Sequence, residues 1–563
     1  MSRWKYRARD EGVARALAEG LGKPYKFGEF LAGRCFKSAE EVRAFVDFPI
    51  KSLPNPLSMP GMPRAVEILL GARERQALVA ISGDYDVDGL TATALLTRVL
   101  GAMGFRIMSR IPNRLDEGYG LSAEAVREIH AQGASYLITV DSGVSDIEAV
   151  LEAERLGLKV IITDHHQLPP TLPDAAAIIN PHLGGGWEDT LLAGVGVAFM
   201  LAWAVRNALG AEAAGVGLVE QLALVALGTV ADLAPLQGPN RTMVRHGLKF
   251  LMASKWPGIV ALKRVLKLDG LNRISVKDVG YRLAPRLNAA GRMGSAKPAL
   301  DILLTESPYE AARLAKELEG INKVRFDTQA LLVGEALEML EHDCQASART
   351  VVLAKEGWPK GLLGLAASRV AEKSGKPTIM FTVQDGLAVG SGRTSGDFDL
   401  FEALSRVRGH CVSMGGHSQA AGLKVAYDRL ESFKEAFESA SREQGWNHGE
   451  NELLVDVVAG LTDLEVLRPH VAEMEPYGQG HPSPVVAVKN LTVLHAHIAK
   501  GNRLELRLSD GLSRLNVSGF NMVSRLEEVG QKADVALIYD PDGYIYGNSW
   551  RLLDFRHPRD AAN

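Results

Sequence analysis

Four stretches of this chain set carboxylates and histidines at spacings that could do chemistry. In Asp84-Tyr-Asp86-Val-Asp88-Gly89 three acids alternate. Alternate residues of an extended segment face the same way, so the three are expected to converge just past a strand. Massed like charges repel unless a cation neutralises them. Asp141 follows the apolar run 136–140, Asp164-His165-His166 follows 160–163, and Asp232 follows 227–231, shortly before Pro235. An EF-hand loop also opens D-x-D-x-D-G, but it needs a helix before the loop and a Glu six residues after the glycine; a strand precedes here, and Leu95 stands in that place. Singly, each cluster reads as a turn former or a helix cap. Together they fall at the carboxyl ends of strands, where open α/β sheets build their sites. Several carboxylates, few histidines and no thiolates suit the hard ions Mn²⁺ or Mg²⁺. There are ligands enough for two ions, which would clamp the attacking and leaving oxygens of a phosphoryl displacement. Metal-assisted phosphoester hydrolysis is the chemistry these residues point to.

A phosphate substrate needs cations. The whole chain has none to spare: 63 Lys+Arg stand against 67 Asp+Glu, a formal charge of −4. Residues 241–300 depart from that balance, with thirteen Lys and Arg against two acids. Within them, Pro285-Arg286-Leu-Asn288-Ala-Ala-Gly291-Arg292 mixes small residues, which admit a backbone, with forked phosphate donors. Gly415-Gly416-His417 and Gly390-Ser-Gly-Arg393 are read as glycine-rich turns that could cradle anions. Arg114 lies just past a strand and could reach the same cleft.

These groups need elements to position them. Apolar runs at 77–81, 105–111, 136–140 and 160–163 alternate with helical patterns, which predicts a doubly wound parallel sheet. Ser307-Pro-Tyr-Glu310 starts a helix that continues to about 340. Residues 349–445 read as a smaller α/β domain. From about 454 the period falls to two, as in Leu504-Glu-Leu-Arg-Leu508, and Asp540-Pro-Asp-Gly543 reads as a turn between strands. The predicted division is an N-terminal extension 1–69, a catalytic domain 70–305, a connecting helix 306–345, a second α/β domain 346–450 and an all-β domain 451–563. Three scattered cysteines argue for a reducing compartment. The N-terminus is too charged for a secretory signal. The longest apolar run, 191–205, is short of a bilayer span, so a cytoplasmic protein is expected.

The ordered set Gly83–Gly89, 140–143, 164–166, 228–235, 288–292 and 415–417 resembles the DHH/DHHA1 phosphoesterase family, most closely its RecJ-type single-stranded-DNA exonucleases. The resemblance implies a two-metal DHH domain, a DHHA1 domain across the cleft, a C-terminal OB-fold and 5′-to-3′ release of mononucleotides from single-stranded DNA in repair and recombination. By motif, Asp84, Asp86, Asp88, Asp141, His165 and Asp232 resemble metal ligands for two Mn²⁺ or Mg²⁺ ions. His166, with Asp141 and Asp164, is left for the reacting phosphate. Asn288, Arg292, Arg393 and His417 resemble residues that hold the terminal phosphate and backbone; Arg114, Arg286, Gly415 and Gly416 join them. Ser82 stands where some relatives have a histidine four residues before Asp86, and Trp358-Pro359 where many have Trp-His. The chain ends after the β domain, so partner binding through a further C-terminal domain is not expected; a single-strand-binding protein and a helicase are the partners the family suggests. A phosphoesterase for short oligoribonucleotides or cyclic dinucleotides is the alternative within the same chemistry. An inactive scaffold or a pure strand-binding protein would need no acidic cluster.

Overall fold

Five short strands make the expected parallel sheet, in the order Arg106–Arg110, Leu78–Gly83, Ala134–Val140, Lys159–Thr163, Ala177–Ile179. The structure, a computed structural model, describes residues 3–558 except 115–116, 119, 343–347, 395, 445–451 and 543–548. The central strands are apolar at nearly every position because helices cover both faces. On one face, Ala80, Leu137, Val160 and Ile162 pack with Val126, Ile129, Ala149 and Val150 of two short helices. On the other lies the helix Val87–Ala102, packed on Gly194–Leu209 and Leu222–Ala231. Parallel strands all finish at one edge, so the residues after Gly83, Val140 and Thr163 arrive together.

The apolar run at 191–205 extends further than its composition suggested. With the turn that follows its helix, Gly194–Ala213 is long and apolar enough to cross a membrane, yet 61% of its most apolar window is buried inside the fold.

A single 35-residue helix, Pro308–His342, leads from this sheet to a second one. Ser307 caps it, its Oγ accepting from Glu310 N at 3.3 Å. The second sheet runs Ser413–His417, Ala420–Ala426, Leu387–Arg393, Thr378–Gln384, Val351–Glu356, with only the last pair parallel. Phe381, Phe398, Phe433 and Phe437 fill its core.

The chain forms two compact units. Both α/β sheets lie in the unit made of residues 56–232 and 250–449. The other unit joins residues 1–55, 233–249 and 450–563. It is built on an antiparallel sheet whose central strand is Val485–Ala499. Of the expected N-terminal extension 1–69, residues 1–55 are therefore an integral layer of this unit, while 56–69 belong to the other. Phe27, Phe30 and Leu31 share a core with Leu464, Leu467, Val486, Leu504 and Leu537. Arg3–Tyr6 pairs in parallel with Glu452–Val455. Buried Asp456 takes Arg34 through both oxygens at 2.9 Å and Arg7 at 2.9 Å. Arg241, in the segment 233–249, is spent here: its guanidinium donates to the carbonyls of Phe45, Met474, Glu475 and Pro476. Asp540 and Pro541 lead out of the strand Lys532–Tyr539, while Gly543 of the predicted turn lies outside the described residues, as does Cys344.

Candidate active site

The first acidic motif converges, but not by alternation along a strand. After the strand ending at Gly83 the chain turns at once into the helix Val87–Ala102. Asp86 is its N-cap, with Oδ1 accepting from Asp88 N at 2.9 Å and Gly89 N at 3.2 Å. Asp88 therefore sits in the first helical turn. Gly89 permits the sharp corner, since a Cβ there would lie 2.5 Å from the backbone of Asp84. The extended-segment expectation fails because capping the helix satisfies donors that an extended chain would leave open.

Asp88 is held by a second helix. Its oxygens accept from Gly194 N at 2.7 Å and Val195 N at 2.9 Å, the first amides of Gly194–Leu209. That helix end attracts negative charge. Glycines make the approach possible: a Cβ on Gly194 would stand 2.8 Å from Asp141, and one on Gly228 would stand 2.6 Å from Asp88 Oδ1. Gly194 was legible only as part of the apolar run 191–205. Nothing in its spacing announces a contact with a carboxylate over a hundred residues away.

Asp141 follows its strand in the left-handed region, at φ 61°. His165 Nε2 lies 3.0 Å from Asp141 Oδ1, 3.9 Å from Asp88 Oδ2 and 4.0 Å from Asp232 Oδ2. Asp232 caps the C-terminus of Leu222–Ala231. Three overlapping groups result: Asp84, Asp86 and Asp141; Asp88, His165 and Asp232; Asp141, His165 and His166. Within each, one ligand atom per residue lies within 4.8 Å of the others. Asp164 is absent from all three. Its carboxylate accepts from Val144 N, His165 N and His166 N, and its Oδ1 meets His166 Nδ1 at 2.7 Å. It orients His166.

Burial raises Asp84, Asp88 and Asp141 well above the usual carboxylate range, and neighbouring carboxylates add to the rise. Asp232 is pushed up to about 7 by burial and Asp86. The two adjacent histidines diverge. His165 falls to about 4, through burial and the charge of His166. Burial also opposes the charge on His166, but its bond to Asp164 and the surrounding carboxylates overcome this and lift it to about 9. These residues fit a divalent cation. Asp84 Oδ1 and His165 Nε2 are buried without a hydrogen-bond partner, and the crowded carboxylates ionise together only beside positive charge.

Cationic groups gather beside the cluster. Arg114 stacks on Tyr85 at 4.7 Å. Arg292 is lowered to about 10 by burial, then by Arg114 and, more weakly, by Arg393. Arg393 is lowered by burial and Arg114, and is steadied by Ser391 Oγ and Gly392 O. Mutually repelling, partly desolvated arginines have donors that could hold an anion. Tyr85 and Ser391 were missed in the sequence because neither carries a distinctive spacing. Asn288 Oδ1 accepts from Val87 N at 3.1 Å, tying the helix Ala284–Met293 to the first acidic motif. Trp358 Nε1 bonds Glu335, and Pro359 opens a tight turn in which Gly361 leaves no room for a Cβ against Arg292 O. Arg292 and this turn border a cleft of about 560 Å³.

Other expectations are corrected. Gly415, Gly416 and His417 lie on a strand paired with Gly422, Ala421 and Ala420, not on a turn before a helix, and they are exposed. Gly390–Arg393 is likewise strand. Arg286 is engaged by Glu319 at 2.8 Å. The basic segment is not one face. Arg241 and Lys263 bind backbone carbonyls, and Arg282 and Lys297 pair with Asp278 and Asp301.

The sequence matches the DHH family, N-terminal domain, over residues 78–229, the DHHA1 domain over 347–443 and the RecJ OB domain over 460–552. A single-stranded-DNA-specific exonuclease RecJ from Bacillus subtilis is 33% identical, across 99% of this chain and 72% of its own length. The protein of that name from Escherichia coli is 38% identical, across 72% and 73%. The chain belongs to the RecJ family. The structure of RecJ from Thermus thermophilus in complex with Mn²⁺ superposes with a TM-score of 0.85, at 27% identity, over 99% of this chain and 80% of that one. A second RecJ structure from the same source holds Mg²⁺. The RecJ fold expected from the motifs, a DHH domain, a DHHA1 domain and an OB-fold, is the fold found.

Proposed function

We propose that this RecJ-family chain is an exonuclease that uses Mn²⁺ or Mg²⁺ to hydrolyse single-stranded DNA from the 5′ end, releasing mononucleotides. The observation that carries the reading is a buried carboxylate–histidine cluster set beside three repelling arginines. Asp84, Asp86 and Asp141 would hold one ion, and Asp88, His165 and Asp232 the other. When bound, such ions activate water as a nucleophile and neutralise charge on the attacking and leaving oxygens.

The chain's own groups do the rest. His166, lifted to about 9 chiefly by its bond to Asp164 and oriented by it, is suited to bond the scissile phosphate and steady the leaving oxygen. Arg114, Arg292 and Arg393 would take the dianionic terminal phosphate and so fix the polarity. Asn288 keeps that side in register with the acidic motif. Arg286 serves the backbone on release from Glu319, and Gly415, Gly416 and His417 offer an exposed edge to it. The OB domain would grip the strand. The same reading places the protein in the cytoplasm, working in repair and recombination beside a single-strand-binding protein and a helicase; its support there is the family relationship.

A time course on a 3′-labelled single-stranded oligonucleotide, in Mn²⁺ and in EDTA, tests the proposal. A metal-dependent ladder of shortening labelled fragments is expected. Immediate release of labelled mononucleotide would reverse the polarity. No cleavage would shift attention to short oligoribonucleotides and cyclic dinucleotides.

A further inference from the structure

Just before the helix that carries Asn288 and Arg292, residues Val279–Leu283 form a π turn. The turn is firmly pinned. Ser275 Oγ accepts from Asp278 N at 3.2 Å, and Asp278 Oδ2 accepts from Ser275 N at 3.1 Å. Arg282 Nη1 donates to Asp278 Oδ1 at 2.8 Å, and its Nη2 donates to Leu266 O. Val279 and Leu283 are fully buried, yet Tyr281 between them is 78% exposed. A π turn inserts one residue into the α register, at a cost in hydrogen-bond geometry, and such insertions cluster at functional sites. This one buries Val279 and Leu283 while leaving the only ring of the turn in water.

The position of the turn suggests what the ring is for. Gly280 faces the helix Leu222–Ala231; a Cβ on it would lie 4.0 Å from Val230 Cγ1. Val230 is two residues before Asp232, the C-cap of that helix. Tyr281 is thus carried by a turn that packs on the helix capped by Asp232 and that leads into the helix bearing Asn288 and Arg292. We propose that Tyr281 is a stacking platform for one unpaired nucleobase of the strand whose phosphodiester is held at the cluster. This rests on the reading of the chain as a single-strand exonuclease. Every base has a π-face, so an aromatic platform grips any sequence. Within a duplex both faces of a base are covered by its neighbours. The ring accepts unpaired bases alone and adds to the selection for single strands at the site of cleavage.

The test measures initial release of the first nucleotide, in Mn²⁺, from oligonucleotides with one abasic site moved stepwise inward from the 5′ end. The wild-type protein is expected to lose about tenfold in kcat/KM at a single abasic position. Tyr281→Ala is expected to be slow on the intact strand by a similar factor and to show no position-specific loss. Tyr281→Phe restores the wild-type pattern, since the ring and not the hydroxyl does the stacking. A Tyr281→Ala protein with an unchanged rate on the intact strand overturns the proposal. So does one that is uniformly slower but keeps the abasic penalty, which is what a merely structural role gives. A wild-type protein that cleaves no oligonucleotide removes the exonuclease reading, and the platform with it.

Discussion

Asp141 combines a left-handed backbone with a buried carboxylate that faces other carboxylates. Asn tolerates that backbone and keeps the shape while discarding the charge. Asp141→Asn is therefore expected to lose at least about 100-fold in nuclease rate, more than the loss of a group that merely supports a ligand. In EDTA it should melt at a higher temperature than the wild type, because a source of repulsion is gone. A fall in melting temperature would show that the carboxylate stabilises the fold. Asp141→Ala should be less stable than Asp141→Asn by about 1–2 kcal/mol, the cost of a left-handed alanine. Asp164 makes a separable prediction. With His166 at about 9, activity that needs its proton should fall as pH rises through that value. Asp164→Asn removes the negative charge that helps to raise it, so the alkaline limb of kcat, measured at saturating Mn²⁺, should move toward neutrality. An unmoved limb would take the proton away from His166.

Two helices show how elements rather than single side chains hold the site. Gly228, on Leu222–Ala231, lets Asp88 lie flat against that helix, and the N-terminal amides of Gly194–Leu209 hold its oxygens. Gly228→Ala should weaken Mn²⁺ binding, read by titration of activity against free metal, by about 10–100-fold with little change in secondary structure. Gly320 is the contrast. It lies inside the long helix Pro308–His342, and a Cβ added there would meet nothing within 4 Å. Gly320→Ala should stabilise the protein by up to about 1 kcal/mol and leave the rate alone. Equal effects of the two substitutions, in denaturant melts and metal titrations, would mean that the close approach at Gly228 has no consequence for the site.

Across the whole molecule, the acidic cluster makes stability depend on pH and metal. The Asp232 carboxyl rises from 3.8 to about 7 on folding. Its contribution is fully present below about pH 4 and is lost as pH climbs through 7, since ionisation then costs more in the folded state. Metal competes with those protons. The gap in melting temperature between Mn²⁺ and EDTA should widen from pH 5.5 to pH 8; a constant gap would separate the ions from these carboxylates. The other compact unit offers a second handle. Asp456→Ala leaves the buried Arg34 guanidinium without its carboxylate, a change that costs about 3–5 kcal/mol. Denaturant unfolding should show the unit of residues 1–55, 233–249 and 450–563 melting earlier, while the metal-stabilised transition of the other unit stays in place.

Which groups gather, and where along the chain, follows from the order of residues alone. Apolar runs that alternate with helical patterns dictate parallel strands, and parallel strands deliver Asp84, Asp141 and Asp164 to one edge whatever else the fold does. Local spacing also marked the cap at Ser307 and the two-residue period of the C-terminal strands. What each group became was set by contacts in three dimensions. His165 and His166 are neighbours with the same chemistry, yet one is held near 4 and the other near 9, because one is desolvated beside a charged ring while the other bonds Asp164. Asp86 and Asp88 turned into a helix cap and its first turn, and Asp88 found its donors at Gly194 and Val195. Residues 1–55 joined the C-terminal strands, and the basic run at 241–300 was divided among internal ties. Spacing governs directions over a few residues; charge state, burial and partner choice depend on atoms brought together from far along the chain.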